Sequence, residues 1–186
     1  MGFKQEAKAA GAGGVHLNAV VWGRPILPGE ESAPDPFKLA EELGFDSFTS
    51  YVWIHHVALE DFPETDYEYV QAKYLEYWEQ AVARCSLPYY PNVTRGWDAS
   101  PRTVQSDVYQ PVGYPFMSTI GGNTPERFAG ALEAVLELEQ VEASASDHKT
   151  LNLNAWNEWT EGSYLEPDTE TGMAYLEAIR TVCGVR

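Results

Sequence analysis

Leu151-Asn152-Leu153-Asn154-Ala155-Trp156 runs directly into Asn157-Glu158-Trp159-Thr160-Glu161-Gly162. The first six residues read as a buried strand, and the next six as the loop at its C-terminal end, closed by a glycine. That loop carries two carboxylates three positions apart, with Trp156 and Trp159 beside them. In parallel α/β folds, reactive side chains gather at the C-terminal ends of strands. Two acids in that position, next to indole faces, suit glycoside chemistry. One can protonate a glycosidic oxygen, the other can support the anomeric centre, and an indole can hold the apolar face of a pyranose. Close carboxylates do not both ionise freely, so one of the pair is expected to keep its proton to a higher pH. The plain alternative is a solvated loop over core tryptophans.

Composition narrows the partners. Twelve lysines and arginines against 28 aspartates and glutamates leave a formal charge of −16. That field repels phosphate backbones and anionic lipid, so neither nucleic acid nor a membrane surface is the expected partner; a neutral ligand suits it better. Six tryptophans and eleven tyrosines are more aromatic surface than a core of this size needs, which favours a ligand that stacks. Cys85 and Cys183 stand alone, without CxxC or metal-type spacing, and read as buried or idle thiols. The segment Met1–Ala10 lacks the apolar core of a secretory signal, and no apolar run approaches membrane-spanning length, so the cytoplasm is the default expectation. The sequon Asn92-Val93-Thr94 falls inside an apparent strand, which argues against glycosylation there.

Working outward from Leu151, the chain repeats one theme: helix, short turn, apolar strand ending in aromatic or polar residues. A helix tail over Lys4–Ala10, closed by Gly11, precedes a strand over Val15–Val21. Asp35-Pro36 opens a second helix that Gly44 ends, and Ser47–Trp53 is the second strand. The longest helical pattern, Tyr67–Arg84, leads to a third strand over Leu87–Thr94. Thr124-Pro125-Glu126 starts a helix to about Gln140, Leu151–Trp156 is the fourth strand, and a helix from about Thr171 to Val182 closes the chain. Strands alternating with helices predict right-handed crossovers and a parallel sheet, an α/β fold of parallel (β/α) repeats. Four units are half of an eight-unit barrel, so residues 1–186 are expected to form one domain, either a partial TIM-type barrel or an open four-strand sheet that must pair with something, with two unpaired sheet edges. Self-association is one way to cover them. The loops 22–35, 55–66 and 97–123 are long, the last being the longest and structureless, whereas Glu142–Asp147 reads as plain linker.

A parallel sheet brings the C-terminal strand ends to one face. These deliver Trp22 and Arg24; Tyr51, Trp53, His55 and His56; Arg95, Trp97 and Asp98; then Trp156 to Glu161. Strand-end aromatics that merely cap the sheet are the bland alternative. His55 and His56 are adjacent, so on extended backbone they point opposite ways and do not share a metal. The glycines at 11, 13 and 14 precede a strand instead of following one, and Gly121-Gly122 lacks a neighbouring cation, so neither is a phosphate cradle. Glu60-Asp61 and the run from Glu64 to Glu68 read as a solvated acidic face.

Trp156-Asn157-Glu158-Trp159-Thr160-Glu161-Gly162, followed by Tyr164-Leu165-Glu166-Pro167, resembles the signature of glycoside hydrolase family 99 and its WbsX-type relatives. Arg95-Gly96-Trp97-Asp98-Ala99-Ser100-Pro101-Arg102 and Gly172–Ala178 resemble the same group. The resemblance covers nearly the whole chain but only the C-terminal half of that family's (β/α)₈ barrel. It implies a retaining endo-α-mannosidase chemistry on an oligosaccharide or polysaccharide, with no metal and no cofactor. Glu158 would draw a proton from the substrate's 2-hydroxyl so that this oxygen attacks the anomeric carbon. Glu161 would be the general acid for the departing oxygen and then the base for water. Asn157, Trp159, Trp97, Asp98, Tyr51, Trp53 and Tyr164 would face the substrate. The alternatives are a polysaccharide-biosynthesis or glycan-binding protein that does not hydrolyse, and a fragment that needs another chain. A further one makes Glu158 the acid/base, with the nucleophile elsewhere.

Overall fold

The computed structural model describes residues 2–31, 35–142 and 150–184. In chain order its elements are α1 (Phe3–Ala9), β1 (Asn18–Val20), α2 (Pro36–Glu42), β2 (Ser47–Thr49), β3 (Glu64–Asp66), α3 (Tyr67–Arg84), β4 (Tyr89–Tyr90) and β5 (Asn92–Thr94). They continue with β6 (Thr119–Gly121), α4 (Pro125–Glu142), β7 (Asn152–Asn154), β8 (Asn157–Glu158), β9 (Ser163–Tyr164) and α5 (Ala174–Cys183). The order β1-β2-β4 is parallel throughout, and β5 pairs in parallel with β7. The protein is therefore a mixed α/β fold with parallel strands, its helices lying between them in the chain.

The third expected strand is split by Pro91. β4 pairs with β2 and, past Pro91, β5 pairs with β7; the proline between them cannot donate to either ladder. The Pro91 carbonyl still accepts from Asn152 N–H (3.0 Å), which ties the two pieces of sheet together. Helix α3 covers this joint. Asp66 caps it by accepting from Glu68 and Tyr69 N–H (2.9 and 3.3 Å), and Tyr67, Val70, Tyr74, Trp78 and Ala81 form its buried stripe at helical spacing. Three of those residues also serve as hydrogen-bond partners to the sheet. Tyr67 donates to Thr94 carbonyl (2.8 Å), Trp78 donates to Tyr89 carbonyl (3.1 Å), and Tyr74 accepts from Asn92 N–H (3.0 Å). Buried backbone groups that a broken strand would leave unpaired are thus satisfied.

Several expectations change. The strands are shorter than their apolar runs, and the segment after β2 bends at Ser50–Val52 into a turn of 3-10 helix, Trp53–His55. The loops 55–66 and 97–123 are not structureless: Glu64–Asp66 and Thr119–Gly121 pair as a parallel two-stranded sheet of their own, and Ser100–Arg102 forms a 3-10 turn. The run from Glu64 to Glu68, read as a solvated face, therefore contains a strand and a helix cap. At Gly121 the Glu64 side chain lies across the position that a Cβ would take, so a larger residue there would displace it. The expected linker over 142–147 lies, beyond its first residue, outside the described residues. Asn92 is buried and its amide donates to Tyr51 and Asn152 carbonyls (3.0 and 3.3 Å), so the sequon is structural. Cys85 is half-buried and Cys183 is exposed; both are free thiols. No described helix is long and apolar enough to cross a membrane.

His55 and His56 lie at the end of the 3-10 turn, not on the extended backbone expected, and meet different rings. His55 packs on Trp22 (ring centroids 4.0 Å) and His56 stacks on Tyr77 (4.2 Å). Burial pushes them down, to about 4 for His55 and about 3 for His56, and the His55 charge adds to the effect on His56. A base held neutral in the fold binds a proton more readily when unfolded, so its stabilisation is whole above about pH 6.5 and is lost as pH falls toward those values. Each histidine is expected to remove up to about 1.4 kcal/mol per pH unit over that window, measurable as a falling urea midpoint between pH 7 and 4. His56→Phe, which keeps the ring and removes the proton site, is expected to flatten that slope.

Candidate active site

The site is built where the segment after β5 meets the segment after β7. From Asn157 to Tyr164 the chain forms the antiparallel pair β8–β9, closed by the 3-10 turn Trp159–Glu161 and by Gly162. Gly162 lies in the left-handed region (φ 61°), and a Cβ there would approach Asp98 Cβ to 2.9 Å and Asp98 N to 3.0 Å. Glycine lets the two segments close up, so that Asp98 N–H donates to the Glu161 carbonyl (2.7 Å). The resulting position of Glu161 is inward, with only a tenth of its side chain exposed, whereas Glu158 is 38% exposed. The two acids of the motif therefore sit in different environments.

Glu161 is held from two sides. The Tyr51 hydroxyl donates to its Oε2 (3.1 Å), and Arg102 Nη1 lies 3.1 Å from its Oε1. Arg102 Nη2 reaches Glu158 Oε1 at the same distance, and Thr160 Oγ1 donates to that oxygen as well (3.0 Å). One guanidinium thus spans both carboxylates. Burial raises the Glu161 carboxyl above the usual range; Arg102 and the Tyr51 hydrogen bond oppose that rise, and the Glu158 charge adds a smaller push upward. One carboxyl of the pair is raised, as expected, but desolvation is the leading cause and like-charge repulsion a lesser one, because a cation lies between them. Tyr51 is itself raised, by burial first and then by the Glu161 charge.

Trp159 ends a four-layer stack. Its ring lies on Tyr164 (centroids 3.7 Å, planes 11° apart), Arg95 lies over Tyr164 (4.3 Å), and the same guanidinium lies over Tyr175 (4.5 Å). The Trp159 indole N–H donates to Glu166 (2.6 Å), and Arg95 donates to the Gly162 carbonyl (3.1 Å) and pairs with Asp168 (3.7 Å). With 44% of Trp159 exposed, the stack ends in a pre-set aromatic face on the same turn that carries the two acids.

Of the residues expected from sequence, the fold gathers Glu158, Glu161, Tyr51, Asp98, Trp159 and Tyr164. Asn157 lies on exposed β8. Trp97 is almost wholly buried and lines, with Asp98, Asn123, Trp159 and Tyr164, a recess of about 410 Å³ behind the Gly162 turn. Trp53 does not belong to the set: it is buried against Tyr67 and Tyr74, with its indole N–H on the Asn92 carbonyl (3.0 Å). The turn after β2 directs it into the core instead of toward the strand ends. Arg102 and Tyr114, whose hydroxyl accepts from Arg102, are site residues that the sequence reading passed over. Arg102 lies seven positions beyond Arg95, at the end of a 3-10 turn and far in sequence from the acids it meets, so no local signal marks it. Among the described residues, no group of three or more His, Cys, Asp or Glu side chains is arranged to hold a metal ion.

A parallel-stranded α/β protein with an arginine-bridged carboxylate pair and an aromatic platform is the class that fold and site define. The model of the family described as "Glycosyltransferase WbsX" matches residues 3–179. The chain belongs to that family, and with it to the carbohydrate-active proteins. The "Uncharacterized protein WxcX" of Xanthomonas campestris pv. campestris, in two strains, is 34% identical over 91 residues. That match takes in 49% of this chain and 12% of the relative's length. A solved structure described as a "Glycoside hydrolase-like protein" superposes on 76% of this chain and 38% of its own, at 15% identity and a TM-score of 0.49.

Proposed function

We propose that this chain carries the catalytic carboxylates of a retaining endo-α-mannosidase-like glycoside hydrolase, on one part of a TIM-type (β/α) barrel. The observation that carries this reading is the unlike burial of two acids three residues apart beside an exposed indole. A buried carboxyl with raised proton affinity suits a general acid, and a more exposed carboxylate suits a base. In the sequence implied by the resemblance, Glu158 takes the proton of the 2-hydroxyl while that oxygen bonds to the anomeric carbon. The glycosidic bond breaks, and Glu161 gives its proton to the departing oxygen. Water then adds to the anomeric carbon, losing its proton to Glu161, as the bond between that carbon and the 2-oxygen breaks and the 2-oxygen recovers its proton from Glu158. Two inversions leave the configuration retained.

The test is incubation with reducing-end-labelled α-mannooligosaccharides and with yeast mannan, following fragments by mass spectrometry and the first-formed anomer by proton NMR. Internal cleavage with the α-anomer formed first is the expected result. The family description favours a second reading, a polysaccharide-biosynthesis or glycan-binding role, and glycan binding without cleavage would establish it over the first. The open edge of β1, with Val20, Leu39 and Leu43 exposed beside it, is where self-association would cover the sheet.

A further inference from the structure

Arg102 is the only basic side chain paired with either Glu158 or Glu161 among the described residues. It donates four hydrogen bonds to three partners, namely Glu158, the Tyr114 hydroxyl and Thr160 Oγ1, which accepts from Nε (3.0 Å) and Nη2 (2.8 Å), and it forms an ion pair with Glu161 (3.1 Å). Asp98 does not compete for it, since its carboxylate accepts from Ser100 N–H (2.8 Å) at the start of the turn that presents Arg102. Thr160 holds both the arginine and Glu158, so the fork is fixed relative to the motif it grips. A surface ion pair between flexible chains contributes little, but a planar fork with every arm engaged is pre-organised, and one of its carboxylates is largely shielded from water.

We propose that Arg102 is a positioning residue that holds the Glu158 and Glu161 side chains side by side. Its bearing on turnover rests on the glycosidase reading; its grip on the two carboxylates does not. The charged and titratable groups facing Glu161 are Arg102, Tyr51 and Glu158, and of these only Arg102 is cationic. Removing it leaves two like charges and the burial of Glu161 unopposed, so the Glu161 proton is held more tightly.

The experiment is a carboxyl carbon-13 NMR titration of the full chain labelled in glutamate, with Glu158 and Glu161 assigned by their Gln variants and folding followed by urea unfolding. Arg102→Gln is expected to raise the Glu161 midpoint by about one pH unit or more, and Arg102→Lys to restore part of that rise. Arg102→Met replaces the glutamine variant if the latter does not fold, with the same expectation. A Glu161 midpoint that stays at its wild-type position in the neutral variants overturns the proposal. Where cleavage is measurable, its fall at alkaline pH moves upward with the NMR midpoint, because the acid stays protonated to higher pH. Absence of cleavage bears on the glycosidase reading alone, since the titration needs no substrate.

Discussion

Glu161→Gln is expected to lower glycan cleavage by about 10²–10⁴-fold while the chain stays folded, because it removes a positioned proton donor and leaves the shape of the side chain. The fold should survive for local reasons. Tyr51 donates to this side chain and Arg102 pairs with it, and an amide oxygen can still accept from the Tyr51 hydroxyl. The cost of the lost ion pair is partly offset because Glu158 loses a like-charged neighbour and keeps Arg102. Glu158→Gln is expected to give a comparable loss, and the two are told apart by the leaving group. A substrate whose departing phenol needs no proton should recover much of its rate in Glu161→Gln and little in Glu158→Gln. Retained wild-type cleavage of mannan by either variant would remove that residue from the catalytic pair.

The second large effect separates two tryptophans that look alike in the sequence. Trp53→Ala is expected to destabilise the protein by about 3–5 kcal/mol, because it empties a fully buried indole site between Tyr67 and Tyr74 and leaves the Asn92 carbonyl without its donor. Trp159→Ala, by contrast, removes an exposed ring that packs mainly on Tyr164, and is expected to reduce stability by only about 1 kcal/mol. Its effect should fall on the ligand, with mannooligosaccharide affinity weakened about tenfold, equivalent to about 1.4 kcal/mol of stacking. Urea unfolding and calorimetric titration of both variants check the contrast. A Trp53 variant as stable as wild type would put that residue back among the ligand contacts.

Helix α3 shows what was legible without coordinates. Its stripe of Tyr67, Val70, Tyr74, Trp78 and Ala81 follows the 3.6-residue period, and its bounds are the ones the sequence predicts. Helix starts at Asp35-Pro36 and Thr124-Pro125, and the run of parallel strands in chain order, were readable for the same reason: local chemistry and periodicity act over a few residues. The carboxylate pair was legible because its spacing is carried by one short loop. Arg102 was not. Its partners Glu158 and Glu161 lie more than fifty positions away in the chain, and no local pattern encodes that meeting.

The sequence by itself determined the α/β alternation, the helix caps, the motif and its aromatic neighbours, since each depends on contacts within one turn or one strand. Tertiary structure decided the rest. It chose which tryptophan is core and which is platform, and it turned two supposed loops into the parallel pair β3–β6. It also sank Glu161 while leaving Glu158 near water. These outcomes turn on close approaches between distant segments, such as Gly162 against Asp98 and Asn152 N–H against the Pro91 carbonyl. Desolvation and charge pairing depend on what surrounds a group in space, and for Glu161 those surroundings come from Tyr51, Asp98 and Arg102, brought together only by the fold.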